Sequence, residues 1–293
     1  MTFSTQRKEL LLKLDYDPDS TGADLRALLA LGPTLSSKDQ ERSLCMMESR
    51  ELAKWAAAER SAVLVVNGEN ADVPRQSSLS YVCASLASML KKTRSPPGFR
   101  SKRPDVVSLS FFCGQHAFKN KNWKTPSAIL NSLLGQLLEQ CKEVDPTKAL
   151  ELGDFKSNDV KAAFKRFDYV LSMLPADTTV FCVIDALSFY LISKETSEEA
   201  ESLATRLMWL VRDEKKKRPC AFKLLLTAPY ALRSAVVSGL DKRAEVLNIP
   251  CRPGGTGGFT DIKWNRLVRE LQGKLPPNSE VKKKAELKVK GKA

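Results

Sequence analysis

The chain has 293 residues, of which 43% are hydrophobic and 28% are charged, and its formal net charge is +13. This is the composition of a globular protein, and it excludes a chain that is disordered throughout. The uninterrupted apolar runs are far shorter than the roughly 18–20 residues that a transmembrane helix requires, so we expect no membrane span.

The N-terminal sequence MTFSTQRKELLLKLDYD lacks the apolar centre of a signal peptide, which favours a cytoplasmic protein, with the nucleus as the alternative. The seven cysteines are widely spaced and include no CxxC pair, so we expect reduced thiols. His116 is the only histidine, which argues against a metal site built from cysteine and histidine.

The first 36 residues have a mixed pattern, with a turn-rich segment at 15–19 and a break at Gly32-Pro33. After them, apolar runs typical of buried strands alternate with amphipathic segments typical of helices. In chain order the predicted elements are helix Ser37–Ala58, strand Ser61–Asn67, helix Ser77–Lys92, strand Asp105–Gly114, helix Pro126–Lys142, helix Asp159–Leu174, strand Thr178–Asp185, helix Lys194–Asp213, strand Ala221–Thr227, helix Ala231–Gly239, strand Glu245–Ile249 and helix Asp261–Gln272. This alternation predicts an α/β fold with parallel strands covered on both faces.

We expect three regions along the chain. Residues 1–48 are a helical or irregular N-terminal segment, and residues 49–252 are the core. Residues 253–293 contain a glycine-rich linker, a short helix and a basic tail. From Thr260 onward the chain has ten basic and four acidic residues, and we expect disorder from about Pro276 because lysines repel one another and apolar residues are sparse.

In open parallel sheets, ligands bind at the carboxyl ends of the strands. The loop after the first strand is therefore the candidate phosphate-binding loop, with Gly68, Arg75, Gln76, Ser77 and Ser78 as candidate residues. A P-loop needs glycines that curl around phosphate, a lysine for the β- and γ-phosphates and a Ser/Thr for magnesium. Here Gln76 takes the lysine place, Ser77 takes the Ser/Thr place and Arg75 takes a glycine place. A plain surface loop remains the alternative.

Two further candidates follow later strands. Asp185 ends a strand after four apolar residues, which is typical of the acidic residue that positions magnesium, although an aspartate that merely ends a strand fits equally well. Thr227 ends the next strand. His116 has no evident catalytic partner, and neither a Ser/His/Asp arrangement nor a G-x-S-x-G motif is present, so we expect no catalytic residue of those types.

Taken in order, the segments VLVVNG, SLSFFCGQH, SLLGQLL, VFCVIDAL and FKLLLTAP resemble the NACHT-type P-loop core of fungal STAND proteins, the nephrocystin-3-like N-terminal domain. The resemblance spans about Ser49 to Ile249. It implies a five-stranded parallel sheet of P-loop NTPase type in the order 5-1-4-3-2, within a three-layer sandwich. It also implies a nucleotide at the loop after Gly68, magnesium at Asp185 and a contact from Thr227.

The sequence departs from that family at its functional positions. The Gly-Lys-Ser/Thr of the phosphate loop is absent, Ser188-Phe189 stands where the family has Asp-Glu, and Ala228-Pro229 stands where it has Ser-Arg. The resemblance therefore implies a degenerate domain that hydrolyses little or no nucleotide and acts through protein partners, with no cofactor expected.

Two alternatives stay open. One is an ATPase or GTPase of the STAND class with a divergent loop, which would hold ATP or GTP with magnesium weakly. The other is a nucleic-acid-binding protein that uses the basic tail and the basic loop Lys91–Arg103, although that loop has only Phe99 as a stacking aromatic.

Overall fold

A computed structural model describes residues 3–69, 77–93, 106–116, 125–153, 155, 159–192, 194–212, 218–229, 245–254 and 258–275. Five strands alternate with helices along these residues. The strands are β1 Ala62–Gly68, β2 Val106–Phe112, β3 Thr179–Asp185, β4 Ala221–Ala228 and β5 Glu245–Ile249. The helices are α1 Phe3–Lys13, α2 Pro18–Leu29, α3 Ser37–Glu48, α4 Arg50–Ala57, α5 Ser78–Thr93, α6 Cys113–His116, α7 Pro126–Gln140, α8 Thr147–Glu151, α9 Val160–Ser172, α10 Ser188–Leu191, α11 Ser197–Arg212 and α12 Asp261–Gly273, with a 3₁₀ turn at Gly32–Thr34.

The five strands form one parallel sheet in the order β2-β3-β4-β1-β5. The first strand pairs with the fourth, with Ala62 beside Lys223, and the second pairs with the third, with Val106 beside Thr179. The predicted order 5-1-4-3-2 of a P-loop NTPase sheet is therefore confirmed. The order was implied by the family resemblance. The apolar runs of β1 and β3 account for strands that are buried on both faces.

Side chains that alternate along each strand enter two separate cores, one on each face of the sheet. In β1, Val63 and Val65 pack in the core that is covered by α1, α7, α8, α9 and α11. Leu64 and Val66 pack in the opposite core, which is covered by α2, α3, α4, α5 and α12. The result is the predicted three-layer sandwich, with the sheet as the middle layer.

The prediction of one helix over Ser37–Ala58 is wrong, because this segment forms two helices. Ser49 has an extended backbone conformation, with φ −64° and ψ 142°, and it divides the segment into α3 and α4. Its hydroxyl accepts a hydrogen bond of 3.2 Å from the amide of Leu52 in the first turn of α4. Serine is among the best helix N-caps, so this bond stabilises the break that apolar periodicity conceals.

Two other segments differ from the prediction. The second strand ends at Phe112, and the chain then turns into the short helix α6 instead of continuing as a strand to Gly114. The mixed N-terminal segment contains α1 and α2, and α2 begins with Pro18 after Asp17, whose side chain accepts from the Asp19 amide. The predicted helix Ala231–Gly239, most of the Lys91–Arg103 loop and the tail from Pro276 lie outside the described residues.

Within the ranges that the structure describes, no helix is both long enough and apolar enough to cross a membrane. The same ranges contain no group of three or more histidine, cysteine, aspartate or glutamate residues that could hold a metal ion. All seven cysteines are free thiols, and five of them are buried.

Candidate functional site

Because all five strands are parallel, their carboxyl ends lie along one edge of the sheet. This edge carries Gly68 at the end of β1, Asp185 at the end of β3 and Thr227 one residue before the end of β4. The helix α5 also begins here, at Ser78. The structure thus brings together most of the site residues that the sequence predicts, while Arg75 and Gln76 lie outside the described residues.

Asp185 lies at the centre of a closed cluster and is only 2% exposed. The hydroxyl of Thr227 donates a hydrogen bond of 2.6 Å to Oδ1 of Asp185, and the side chains of Ser80 and Cys83 on α5 also hydrogen-bond to this carboxyl group. Burial raises the pKa of Asp185 above its ordinary value, and these three hydrogen bonds offset only part of that effect. The environment therefore favours the neutral acid more than water does.

Thr227 fastens the turn that follows β3. Its hydroxyl oxygen accepts from the amide of Ala186 at 3.0 Å, and its carbonyl oxygen accepts from the amide of Leu187 at 3.0 Å. Ala186 has a φ of 57°, in the left-handed region that a residue with a side chain seldom adopts. The described contacts of Thr227 thus hold a strained turn in place.

The serines at the start of α5 form a reciprocal cap. Oγ of Ser77 accepts from the Ser80 amide at 3.2 Å, and Oγ of Ser80 accepts from the Ser77 amide at 3.3 Å. Ser77 therefore acts as the helix cap, and Ser80 is the serine that contacts Asp185. In a P-loop, the Ser/Thr of Gly-Lys-Ser/Thr and the strand-end aspartate hold the same magnesium ion, so they lie side by side.

This neighbourhood is compatible with a second alignment of the loop, three residues further along the chain, and the predicted alignment stays a prediction. With Ser80 in the Ser/Thr place, the residue in the lysine place is Leu79, which is apolar and fully buried. The sequence assigned those places to Ser77 and Gln76. The two alignments assume loop lengths that differ by three residues. The contact between Ser80 of α5 and Asp185 of β3 favours the second alignment.

Gly68 is needed here for close packing. A Cβ atom at this position would lie 2.6 Å from the carbonyl oxygen of Pro229 and 2.9 Å from Nη2 of Arg42. Any larger residue would push apart the ends of β1 and β4 or displace the arginine. Because the loop that follows is outside the described residues, a phosphate contact by Gly68 stays a prediction.

Arg42 is the residue at this edge that the sequence analysis missed. It comes from α3 and is fully buried, and its Nη1 donates to the carbonyl oxygen of Pro250 at 2.6 Å, just after β5. Its Nε donates to Oγ of Ser78 at 3.4 Å. Burial lowers the pKa of Arg42 from its ordinary value. The helical spacing could have indicated that Arg42 is buried, because it stands four residues before the buried Met46 and shares its helix face.

His116 has a buried partner that the sequence did not indicate. Its Nε2 lies 2.5 Å from Oδ2 of Asp24 in α2, and both residues are buried. The ring also packs against Phe111, with 4.9 Å between ring centroids. The pair joins α2 to α6, the short helix that follows β2. Asp24 is 92 positions away in the sequence, so no local pattern could have indicated it.

One family model, described as "Nephrocystin 3, N-terminal", matches residues 44–228, which is more than half of the chain. The chain belongs to this family. The match begins in α3 and ends with β4, so it contains the whole cluster around Asp185.

No curated protein gave a match. Among solved structures, the chain is similar to the Orc1 protein of Aeropyrum pernix in complex with DNA, at 15% sequence identity and a TM-score of 0.36. That comparison covers 79% of this chain and 48% of the other, so this chain spans about half of the length of that protein.

Proposed function

We propose that this chain is a degenerate NACHT-like domain of the STAND class, which acts as a protein-interaction or signalling module with little or no nucleotide hydrolysis. The observation that carries the proposal is the closed cluster at Asp185. Ser80 stands beside Asp185, and the preceding residue, Leu79, is a buried apolar side chain where hydrolysis needs a lysine.

Among the described residues, the donor set at this edge offers little support for a magnesium–triphosphate complex. Magnesium prefers ionised carboxylates, and burial raises the pKa of Asp185, which makes ionisation of this carboxyl group less favourable than in water. Phe189 is buried at the place where the resemblance implies an acidic residue, and Pro229 stands where it implies an arginine. In other enzymes the loss of one such donor slows turnover by about a hundredfold or more, so the loss of several supports a domain without turnover.

A surface groove supports the interaction role. It lies between α9 and α11, has a volume of about 660 Å³ and is lined by Phe164, Lys165, Asp168, Glu198, Glu201, Ser202, Thr205, Arg206 and Trp209. Trp209 is 41% exposed, and Arg218 lies over its ring. An exposed tryptophan flanked by charged side chains is typical of a surface at which proteins bind.

Hydrolysis is tested by phosphate release from magnesium–ATP and magnesium–GTP by the full chain, together with calorimetric titration of both nucleotides. We expect no release above background and weak or no binding. Micromolar binding that is abolished by Asp185→Ala, with measurable turnover, would overturn the proposal. It would instead favour an ATPase or GTPase of the STAND class with a divergent loop.

The interaction role is tested by proximity labelling in cells of the source organism, with wild-type protein compared with Trp209→Ala. Met173→Ala is the control, because Met173 is exposed to a similar extent, at 47%, and does not line the groove. We expect the wild type and Met173→Ala to label a set of proteins that Trp209→Ala no longer labels. Identical labelling by all three proteins would count against the groove as the binding surface.

A further inference from the structure

The groove between α9 and α11 lies between two helices that run in the same direction. Both helices cover the same face of the sheet, and each is followed by a parallel strand. Asp159 at the start of α9 acts on the charge of Glu199 in the first turn of α11, so the two N-terminal ends are neighbours. The lining residues of α11 stand at positions 198, 201, 202, 205, 206 and 209. This spacing puts them on one helix face about 16 Å long, the length of three turns.

Carboxylates are concentrated at the N-terminal end of the groove. Glu198 and Glu201 line it, and neither takes part in an ion pair within the part of the chain that the structure describes. Burial raises the pKa of Glu199, and the nearby charge of Asp159 raises it further. The helix dipole stabilises acidic residues in a first turn, but Glu201 lies in the second turn of α11 and faces the groove. This end of the groove therefore attracts a cation.

Cationic side chains lie in the middle of the groove, and an indole lies at its far end. Lys165 of α9 and Arg206 of α11 line the groove, and neither has a carboxylate partner among the described residues. Trp209 follows one turn later on α11 and is 41% exposed. Asp168 at this end is already paired with Arg218 at 2.8 Å. Along its length the groove thus presents negative charge, then positive charge, then an apolar surface.

We propose that the groove binds one amphipathic helix of a partner protein, which lies antiparallel to α9 and α11. The positive dipole ends of α9 and α11 are at the acidic end of the groove. An antiparallel helix brings its negative C-terminal end there, and its last turn favours lysine or arginine. The complementary face has an apolar residue at Trp209, an acidic residue about four positions later and a basic residue about four positions after that. The inference rests on the proposed interaction role and adds the chemistry of the partner.

The charge order of the groove selects against other helices. A uniformly basic helix would bring like charge to Lys165 and Arg206, and a uniformly acidic one would bring it to Glu198 and Glu201. In the partner, an acidic residue one turn before a basic residue also stabilises the helix itself. The same pattern therefore favours both the helical form of the partner and its contact with the groove.

The test selects helical peptides of about 15 residues, displayed on phage with one face randomised, against the immobilised full chain. Selected peptides are synthesised and titrated calorimetrically. We expect an apolar, an acidic and a basic residue in that order from the N-terminus, at intervals of about four positions. Exchanging the acidic and basic residues of a selected peptide gives a control of the same composition and net charge. This control should bind about tenfold more weakly, because two favourable charge pairs become unfavourable.

Two variants of the protein locate the charge contact. Glu201→Lys reverses one charge at the acidic end, and Glu143→Lys is the matched control because Glu143 is exposed and does not line the groove. We expect Glu201→Lys to weaken the selected peptide about three- to tenfold, whereas Glu143→Lys binds it like the wild type. Both side chains are exposed, so the fold should be retained, and melting temperatures check this.

The failure of this inference can be told apart from that of the proposed interaction role. Failure to select any peptide, or equal binding of the original and the charge-exchanged peptide, would overturn the inference. Selected peptides that lack the pattern, but bind Trp209→Ala more weakly than wild type, would overturn it and leave the groove as an interaction surface. Peptides that bind Trp209→Ala as tightly as wild type would count against both. None of these results bears on the phosphate-release assay, which alone tests hydrolysis.

Discussion

The hydroxyl of Thr227 donates a hydrogen bond of 2.6 Å to Asp185, and the same oxygen accepts from the amide of Ala186. One side chain of β4 therefore binds both the last residue of β3 and the turn that follows it. All three groups are buried, so water cannot replace either bond. The described contacts show that the strand-end aspartate accepts a hydrogen bond within the fold. Its role as a magnesium ligand stays a prediction.

The first prediction compares two substitutions of Asp185. Asp185→Asn keeps an oxygen that can accept from Thr227 and removes the cost of a buried carboxyl group, so we expect its unfolding free energy to stay within about 1 kcal/mol of wild type. Asp185→Ala leaves the Thr227 hydroxyl without its acceptor and should cost about 1–3 kcal/mol. Urea denaturation measures both. A larger loss for Asp185→Asn than for Asp185→Ala would contradict the structural role.

The second prediction concerns Thr227 itself. Thr227→Val keeps the shape of the side chain but removes the hydroxyl, which leaves both the Ala186 amide and the Asp185 carboxyl group without this partner. We expect a loss of about 1–3 kcal/mol in the same denaturation experiment. Thr227→Ser keeps the hydroxyl and is the matched control, with a loss limited to the missing methyl group, about 1 kcal/mol. Equal losses for the two variants would show that packing, not hydrogen bonding, dominates here.

The sheet was predictable from the sequence because its determinants are local. The strands β1 to β4 are mainly apolar, and the order follows from the resemblance that those segments and the Ser132–Leu138 segment carry. The break at Ser49 was not predicted, because apolar periodicity continues across it and the capping hydroxyl acts only once the chain bends.

The candidate site was predictable only in part. Asp185 and Thr227 end strands, so their place at the sheet edge follows from topology. The identity of the serine beside Asp185 depends on the length of the intervening loop, which residue patterns do not determine. Arg42 lies in α3 and precedes Gly68 by 26 positions in the sequence, so only tertiary packing brings the two residues together.

The third prediction concerns the pH dependence of stability. Lys223 is fully buried in β4, its Nζ donates to the carbonyl oxygen of Ala56 at 2.7 Å, and it lies 4.7 Å from the ring centroid of Phe181. Burial lowers the pKa of Lys223 to about 7, whereas the unfolded chain keeps this proton up to the ordinary value of 10.5. Between these values the unfolded state binds more protons, so the contribution of Lys223 makes the unfolding free energy rise with pH.

Lys223→Met removes this contribution, so the difference in unfolding free energy between wild type and variant should change steadily from about pH 7 to about pH 10.5 and be flat below that window. Using the difference cancels the cysteines and tyrosines that titrate in the same range. Lys54→Met, at an exposed lysine of α4 that pairs with Glu245, is the control and should give no comparable slope. A flat difference curve for Lys223→Met would show that this lysine is charged in the folded protein at pH 10.

The fourth prediction concerns Gly135 in the middle of α7. Alanine normally stabilises a helix interior by about 1 kcal/mol relative to glycine. At Gly135, however, the added Cβ would lie 2.3 Å from Cγ of Tyr16 and 2.5 Å from Cδ2, which no real contact permits. The hydroxyl of Tyr16 donates to Glu139, one turn further along α7, at 3.0 Å, so turning the ring away from Gly135 would break this bond. We therefore expect Gly135→Ala to destabilise the protein by about 1–3 kcal/mol.

Gly22→Ala in α2 is the matched control, because its Cβ would meet only the end of the Arg26 side chain, at 3.3 Å, and that side chain can move. It should raise the melting temperature while Gly135→Ala lowers it. A double variant with Tyr16→Ala isolates the steric cause, since removing the ring should cancel most of the penalty at Gly135. If Gly135→Ala stays destabilising in the Tyr16→Ala background, the close approach of Tyr16 to α7 is not what selects glycine at this position.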